Sequence, residues 1–278
     1  MKLLTNITDY NQTIKLATNL NSKYNESVIF HCYWNGNLNE KHLYSILSCY
    51  YFNVFNNNHK IILWLENNIP NDINKEIKKY CEIKNFILKE ETKNTWLENE
   101  NIIFKTNILT EKSDFYRLLL LYNYGGCWFD LDCFFLRSFD PLFSNYKNDI
   151  CLYQWEKQEY PNNAIIISLE PKSIKMKKNI EFIIKLNRGW GFQIAKLTYN
   201  IKELDFFILP CSWFDGSWIS NPYNIKFNFF FKKSNKEYNF ENFFKGSFCY
   251  HWHNNWDGII EENSIILQLV KIIKSKLI

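Results

Sequence analysis

"SDFYRLLLLYNYGGCWFDLDCFFL", residues 113–136, decides the reading of this chain. Phe115, Leu118, Leu119 and Tyr122 follow the i, i+3, i+4, i+7 spacing, and Leu120 and Leu121 widen the stripe, so a helix buried on most sides is expected. Ser113 is expected to cap it, with Asp114 in the first turn, where a carboxylate complements the helix dipole. Gly125 and Gly126 end the helix, because the chain needs a left-handed residue there. "CWFDLDCFF" then resumes as strand. Asp130 and Asp132 are two apart on it, so both side chains are expected on one side. Two carboxylates held close in an apolar setting repel unless a proton or a cation joins them. A divalent metal answers that demand, and oxygen ligands suit Mg²⁺ or Mn²⁺ with positions left for diphosphate oxygens.

Working outward, "SVIFHCYW" (residues 27–34), "KIILWLE" (60–66) and "NFILKE" (85–90) read as strands. Between them, "NGNLNEKHLYSILSCYYFN" and "PNDINKEIKKYCEI" read as helices, the second opened by Pro70 and Asn71. The order β-α-β-α-β implies a largely parallel sheet with helices on both faces. Ligands of such sheets lie beyond the carboxyl ends of the strands, where Trp34-Asn35-Gly36 falls. Trp34 either stacks a base or merely covers the strand end. After the central stretch, "ICLYQWE" (150–156) and "NAIIIS" (163–168) are strands and "SIKMKKNIEFIIKLN" is an amphipathic helix. Residues 187–246 mix loops with short strands, and the tail from Ser264 is a basic, apolar helix. Within the mixed region, "LPCSWFDGSWISNPY" either covers a ligand or packs the core. Eight glycines, six prolines and no repeats argue for one unit over 1–278.

The 278 residues are 46% hydrophobic and 22% charged, which describes a globular chain. The net charge of +4 is small and the lysines are scattered, which disfavours nucleic acid as a partner. The eight cysteines form no Cys-x-x-Cys pair and no zinc spacing, and free buried thiols are expected. No window reaches the ~18 apolar residues of a membrane span. The opening residues lack the apolar core of a leader. A cytoplasmic protein, soluble or peripherally attached to a membrane, is expected.

Ser113, Asp114, Arg117, Tyr124, Gly125, Gly126, Asp130 and Asp132 together resemble the signature of glycosyltransferases with a DXD sugar-binding region. That group includes fungal initiating α-1,6-mannosyltransferases, animal α-1,4-galactosyltransferases and clostridial toxin glucosyltransferase domains. Trp128 stands where the family has Tyr, which puts contacts through a phenol hydroxyl in question. "IFHCYWNG", "YPNNAIIIS" and "CYHWHNNWDG" are similar to the family's first strand, a later Asn-Ala strand and its C-terminal His…Trp segment. The resemblance implies an α/β fold of the GT-A type, with a nucleotide-binding part over about 25–140 and an acceptor-side part over about 141–278. It implies transfer of a sugar from a nucleotide donor to an acceptor hydroxyl, with retention at the anomeric carbon. It also implies roles. Asp132 would ligate Mn²⁺ or Mg²⁺, and Asp130 would touch the metal or the ribose. Asp114 and Arg117 would hold the donor sugar's hydroxyls, although spacing alone makes them a local ion pair. His251 or His253 would complete the metal shell. Trp34 would stack the base, Trp256 would close the donor pocket, and Asn163 would contact the donor. A UDP-sugar is favoured over a GDP-sugar, and the acceptor is a glycan, a lipid-linked glycan or a protein.

Two other readings stand beside this one. A haloacid-dehalogenase-type phosphatase also uses a strand-end Asp-x-Asp, but near the N-terminus and followed by Thr or Gly rather than Cys133 and Phe134. A carbohydrate- or nucleotide-binding protein that kept the fold and lost turnover would keep the same polar residues.

Overall fold

The computed structural model describes residues 2–3, 9–20, 23–67, 69–100, 109–156, 158, 161–186 and 206–277. Strand β1 (Lys2–Leu3) and helix α1 (Tyr10–Asn19) come first. The expected parallel unit follows as β2 (Ile29–Asn35), α2 (Glu40–Cys49), β3 (Lys60–Glu66), α3 (Asp72–Ile77) and β4 (Glu82–Asn85). Asn71 caps α3 with a reciprocal Asn71–Asn74 pair. Two boundaries differ from expectation. Helix α3 ends at Ile77, and the third strand lies earlier than "NFILKE", with Glu82 paired to Ile62. Leu88–Thr92 instead forms helix α4. A short apolar run does not distinguish strand from buried turn, and Phe86 satisfies its hydrophobicity by packing on Tyr33 and Tyr116.

Helix α5 (Leu109–Tyr124) leads into β5 (Gly126–Phe129) and β6 (Cys133–Phe135). The remaining elements are α6 (Asp140–Tyr146), β7 (Ile150–Gln154), β8 (Pro161–Ser168), α7 (Ile174–Leu186), β9 (Phe206–Leu209), β10 (Cys249–His251) and α8 (Ile265–Lys276). "RGWGFQ", within the stretch expected to mix loops with short strands, lies outside the described residues.

The main sheet has eight strands in the order β1-β9-β7-β8-β5-β2-β3-β4. All neighbours are parallel except those of β8, which runs antiparallel to both β5 and β7. A second, two-stranded antiparallel sheet joins β6 to β10. Side chains alternate between faces, as a strand's two-residue period requires. Phe30, Leu63, Cys127, Phe129 and Ile167 face one core with α2, and Tyr33, Trp64, Trp128 and Ile166 face the other with α5 and α7. Helices therefore cover both faces, and the fold is the α/β, GT-A type that the resemblance implies. All cysteines but Cys81 are buried. Among the described residues, no helix is long and apolar enough to cross a membrane.

Gly125 and Gly126 behave as the sequence demands. Gly125 has φ +64 and donates its N–H to Leu121 O at 2.9 Å, closing the helix. Gly126 has φ +114, and a Cβ there would sit 2.2 Å from the Ile29 carbonyl. The pair lets β5 leave the helix and lie directly against β2.

Candidate active site

The helix before the glycines starts earlier than its sequence signals. Leu109–Tyr124 is helical, so Ser113 is an interior residue and not the N-cap. Its polar groups serve Arg117 instead. The Ser113 carbonyl accepts from Arg117 Nε, and the Ser113 hydroxyl accepts from Nη2, both at 3.3 Å. Asp114 likewise sits inside the helix, and its partner is a guanidinium rather than the helix dipole. Arg117 Nη2 lies 3.0 Å from Asp114 Oδ1. Spacing alone predicted this contact, but not its burial, with side-chain exposures of 5% and 9%. A buried pair in a network differs energetically from the weak surface pair that spacing suggests.

Arg117 reaches three elements. Nη1 donates to Asn163 O at 2.6 Å, at the start of β8, and Nη2 lies 3.3 Å from Asp130 Oδ1, beyond β5. Asn163 Nδ2 donates to Asp114 Oδ1 at 3.0 Å and closes the circle. Trp128 fills the family's Tyr position with a working donor, its indole N–H reaching Asp130 Oδ1 at 2.7 Å. Arg117 also lies over the Trp128 ring at 5.1 Å.

Asp130 and Asp132 are brought together differently from expectation. Strand β5 stops at Phe129, Leu131 and Asp132 form a turn, and β6 starts at Cys133. Cys133 N–H closes that turn on Asp130 O at 3.0 Å. Both acids line the cleft because the backbone folds between them, not because a strand alternates. Burial, together with Asp132, pushes the Asp130 carboxyl up. Burial opposes the charge of Asp132 as well, but His251 and the Asn254 N–H outweigh it and hold this carboxyl below the usual range.

The C-terminal segment folds over this turn. Strand β10 pairs with β6, setting His251 opposite Cys133. Trp252 N–H donates to Asp132 O at 3.0 Å. His253 and Asn254 then take φ +50 and +55, rare for residues with a Cβ. This left-handed turn aims the Asn254 N–H at Asp132 Oδ2, 2.7 Å away. His251 Nε2 lies 3.1 Å from the same oxygen, whereas His253 Nε2 lies 2.8 Å from Asp215 Oδ2.

One cleft of about 490 Å³ collects all nine sequence-predicted site residues. Trp34 comes from the end of β2, Asp114 and Arg117 from α5, and Asp130 and Asp132 from the turn after β5. Asn163 comes from β8, and His251, His253 and Trp256 from the C-terminal segment. The cleft opens beyond the carboxyl ends of β2, β5 and β7, where ligands of parallel sheets bind. The Trp34 ring meets His42 edge-on at 4.2 Å and Trp256 at 4.8 Å, while His42 stacks on Trp256 at 4.4 Å. "LPCSWFDGSWISNPY" supplies core packing, with Trp213 and Phe214 fully buried.

The sequence reading missed Tyr33 and Asn35, which line the same cleft and are tied to Glu66 at 2.5 and 3.3 Å. Their signal was available, since they flank Trp34 at a parallel-strand end. It also missed Asp215, Tyr153 and Lys41, each of which acts on the site from a distant part of the chain.

Known proteins bear on this geometry. The sequence profile of the glycosyltransferase sugar-binding region containing a DXD motif matches residues 49–149, which include the whole of α5 and both acids. Residues 49–149 thus carry the sugar-binding region that marks the DXD glycosyltransferases. Among solved structures, the glycosyltransferase GlyE of Streptococcus pneumoniae TIGR4 superimposes with TM-score 0.52 at 11% identity, over 91% of this chain and 63% of that one. The chain thus spans less than two thirds of the GlyE chain, and at that identity the likeness concerns the fold. The PaToxG glycosyltransferase aligns at TM-score 0.45 and 16% identity, over 68% of this chain and 75% of that one. The galactosyltransferase LgtC, in complex with donor and acceptor sugar analogues, aligns at 0.48 and 10%, over 89% and 96%. No curated protein matches the chain by sequence.

A divalent cation fits the residues present. Asp132 Oδ1 and Asp215 Oδ1 are buried acceptors without a hydrogen-bond partner among the described residues. Asp114, Asp132 and Asp215 are buried, Asp130 is partly buried, and Arg117 is the guanidinium among them. Neutral histidines would leave about three uncompensated negative charges there, which a dication relieves.

Proposed function

We propose that this chain moves a sugar from a nucleoside diphosphate donor to an acceptor hydroxyl, with a divalent metal and with retention at the anomeric carbon. The observation that carries the reading is the gathering of Asp114, Arg117, Asp130, Asp132 and His251 around one cleft, with Asp132 Oδ1 still lacking a partner. Asp130, Asp132 and His251 would hold Mn²⁺ or Mg²⁺, which when bound neutralises the departing diphosphate. His251 is the better third ligand, because its Nε2 shares Asp132 while His253 faces Asp215.

The chain's own residues supply position. Arg117 and Asn163 hold Asp114 and Asp130 fixed before any donor arrives, so their carboxylates would meet sugar hydroxyls without reorganisation. Trp34 and Trp256 would flank the nucleotide at the strand ends and exclude water. Residues 25–140 would form most of the donor side and residues 141–278 most of the acceptor side of a single domain, with the β10 segment returning to the donor. A UDP-sugar is the favoured donor, and the acceptor is a glycan, a lipid-linked glycan or a protein.

A thermal-shift series with UDP- and GDP-sugars, with Mn²⁺, Mg²⁺ or a chelator, tests this. A donor at ~100-fold its Kd should stabilise the protein by about 2.7 kcal/mol. Chelation should remove that gain and stop donor hydrolysis, and Asp132→Asn should do the same. Full turnover by Asp132→Asn, or turnover indifferent to the chelator, would overturn the metal assignment.

A further inference from the structure

Asp215 stands behind the histidine pair, in the loop between two short 3₁₀ turns, Cys211–Trp213 and Gly216–Trp218. It is 1% exposed. Its Oδ2 lies 2.8 Å from His253 Nε2 and 3.8 Å from His251 Nδ1. His251 Nδ1 also lies 2.9 Å from the buried Tyr153 hydroxyl, and the two imidazoles stack at 3.9 Å. Each nitrogen of His251 therefore has its own surroundings. Nε2 faces Asp132 and the cleft, and Nδ1 faces Tyr153 and Asp215.

A neutral imidazole carries one N–H and one lone pair, and its neighbours decide which nitrogen has which. A carboxylate also faces Nε2, since Asp132 Oδ2 is 3.1 Å away, so without an ion the surroundings do not single out one nitrogen for the proton. With a dication at Asp132, the Tyr153 hydroxyl and the Asp215 carboxylate would keep the proton on the Nδ1 side and leave the Nε2 lone pair to the ion. Such outer partners orient a histidine ligand and raise its basicity. No lysine or arginine pairs with Asp215 among the described residues, so its charge acts on the two histidines.

We propose that Asp215, together with Tyr153, is a positioning residue of the metal centre, holding the His251–His253 stack so that His251 offers Nε2 to a dication at Asp132. The proposal rests on the reading that Asp132 and His251 hold that ion.

Direct Mn²⁺ titration of the donor-free protein, read from the free-ion paramagnetic resonance signal, tests it without turnover. Asp215→Asn and Tyr153→Phe should each bind Mn²⁺ about 10- to 100-fold more weakly than wild type while folded by circular dichroism. Asp215→Glu should recover part of the loss. Wild-type affinity in both folded variants, with binding lost in Asp132→Asn, would overturn the positioning role and leave the metal centre standing. No Mn²⁺ binding by the wild type, or undiminished binding by Asp132→Asn, would overturn the metal centre and this role with it. Should Asp215→Asn fail to fold, Tyr153→Phe decides by the same criteria, since it removes only a hydroxyl.

Discussion

Residues 29–135 and residues 206–258 each supply one wall of the cleft, and they are built on different principles. The first wall rises from strands paired over many residues, β2 with β3 at seven positions from Ile29 to Asn35. Its polar residues sit at strand ends and on a helix that the sequence pattern reveals. The second wall has little ladder. It is held by rings, such as Phe230 against Tyr250 at 4.5 Å and against Phe243 at 5.5 Å, and by a left-handed turn at His253 and Asn254. One cation pins it to the first wall, since Lys41 Nζ donates to the carbonyls of Asn255 and, at 2.8 Å, of Trp256. The residues proposed to hold a metal come from both walls, so the proposed site depends on a contact that neither wall contains alone.

The comparison predicts unequal sensitivities. The largest effect should come from Arg117→Met, which leaves the buried Asp114 and the partly buried Asp130 without their shared cation. A loss of about 3–5 kcal/mol in denaturant unfolding is expected. A variant within about 1 kcal/mol of wild type would mean that the first wall does not depend on this hub.

An intermediate effect should follow from pH at the base of the same wall. Buried His31 accepts the Trp64 indole N–H on Nδ1 at 3.1 Å and donates from Nε2 to Gly125 O at 3.0 Å. It is therefore folded as the neutral form, and burial lowers its pKa from 6.5 to about 4. The unfolded chain binds this proton first as pH falls. Stability is thus intact above pH 6.5, declines towards about pH 4, and declines no further below that on this residue's account. The shift corresponds to about 3 kcal/mol. Unfolding curves of wild type and His31→Asn across this range should diverge by that amount, and parallel curves would refute the tautomer.

The smallest effect on stability should belong to Lys41→Met, which keeps an apolar stem of similar length. The melting free energy should fall by only about 1 kcal/mol, because the second wall is held mainly by its rings. The donor KM should nonetheless rise several-fold, because Asn255 and Trp256 lose their tether to α2. An unchanged KM would show that the aromatic stack of His42 on Trp256 suffices to hold the segment.

Much of the first wall was legible in residues alone. The buried helix, the double glycine and the parallel order each follow from periodicity or from a backbone angle that only glycine accepts comfortably, and both are local properties. The residues predicted for the site line one cleft, but two of their placements differ from expectation. Ser113 lies inside its helix, and the two acids straddle a turn. Ser113 is turned inward by a residue one turn on in its own helix, Arg117, whereas a tertiary partner acts on Asp130, whose N–H donates to the Ala164 carbonyl at 2.8 Å.

By itself the sequence determined which polar side chains are candidates for the cleft and which segments bury their apolar faces, because those depend on residue type and on short-range spacing. Only the tertiary structure decided that His251 and not His253 stands beside Asp132, that Asp215 and Tyr153 stand behind it, and that Lys41 ties the two walls together. These contacts join residues tens to hundreds of positions apart, and no local periodicity encodes the distance between them.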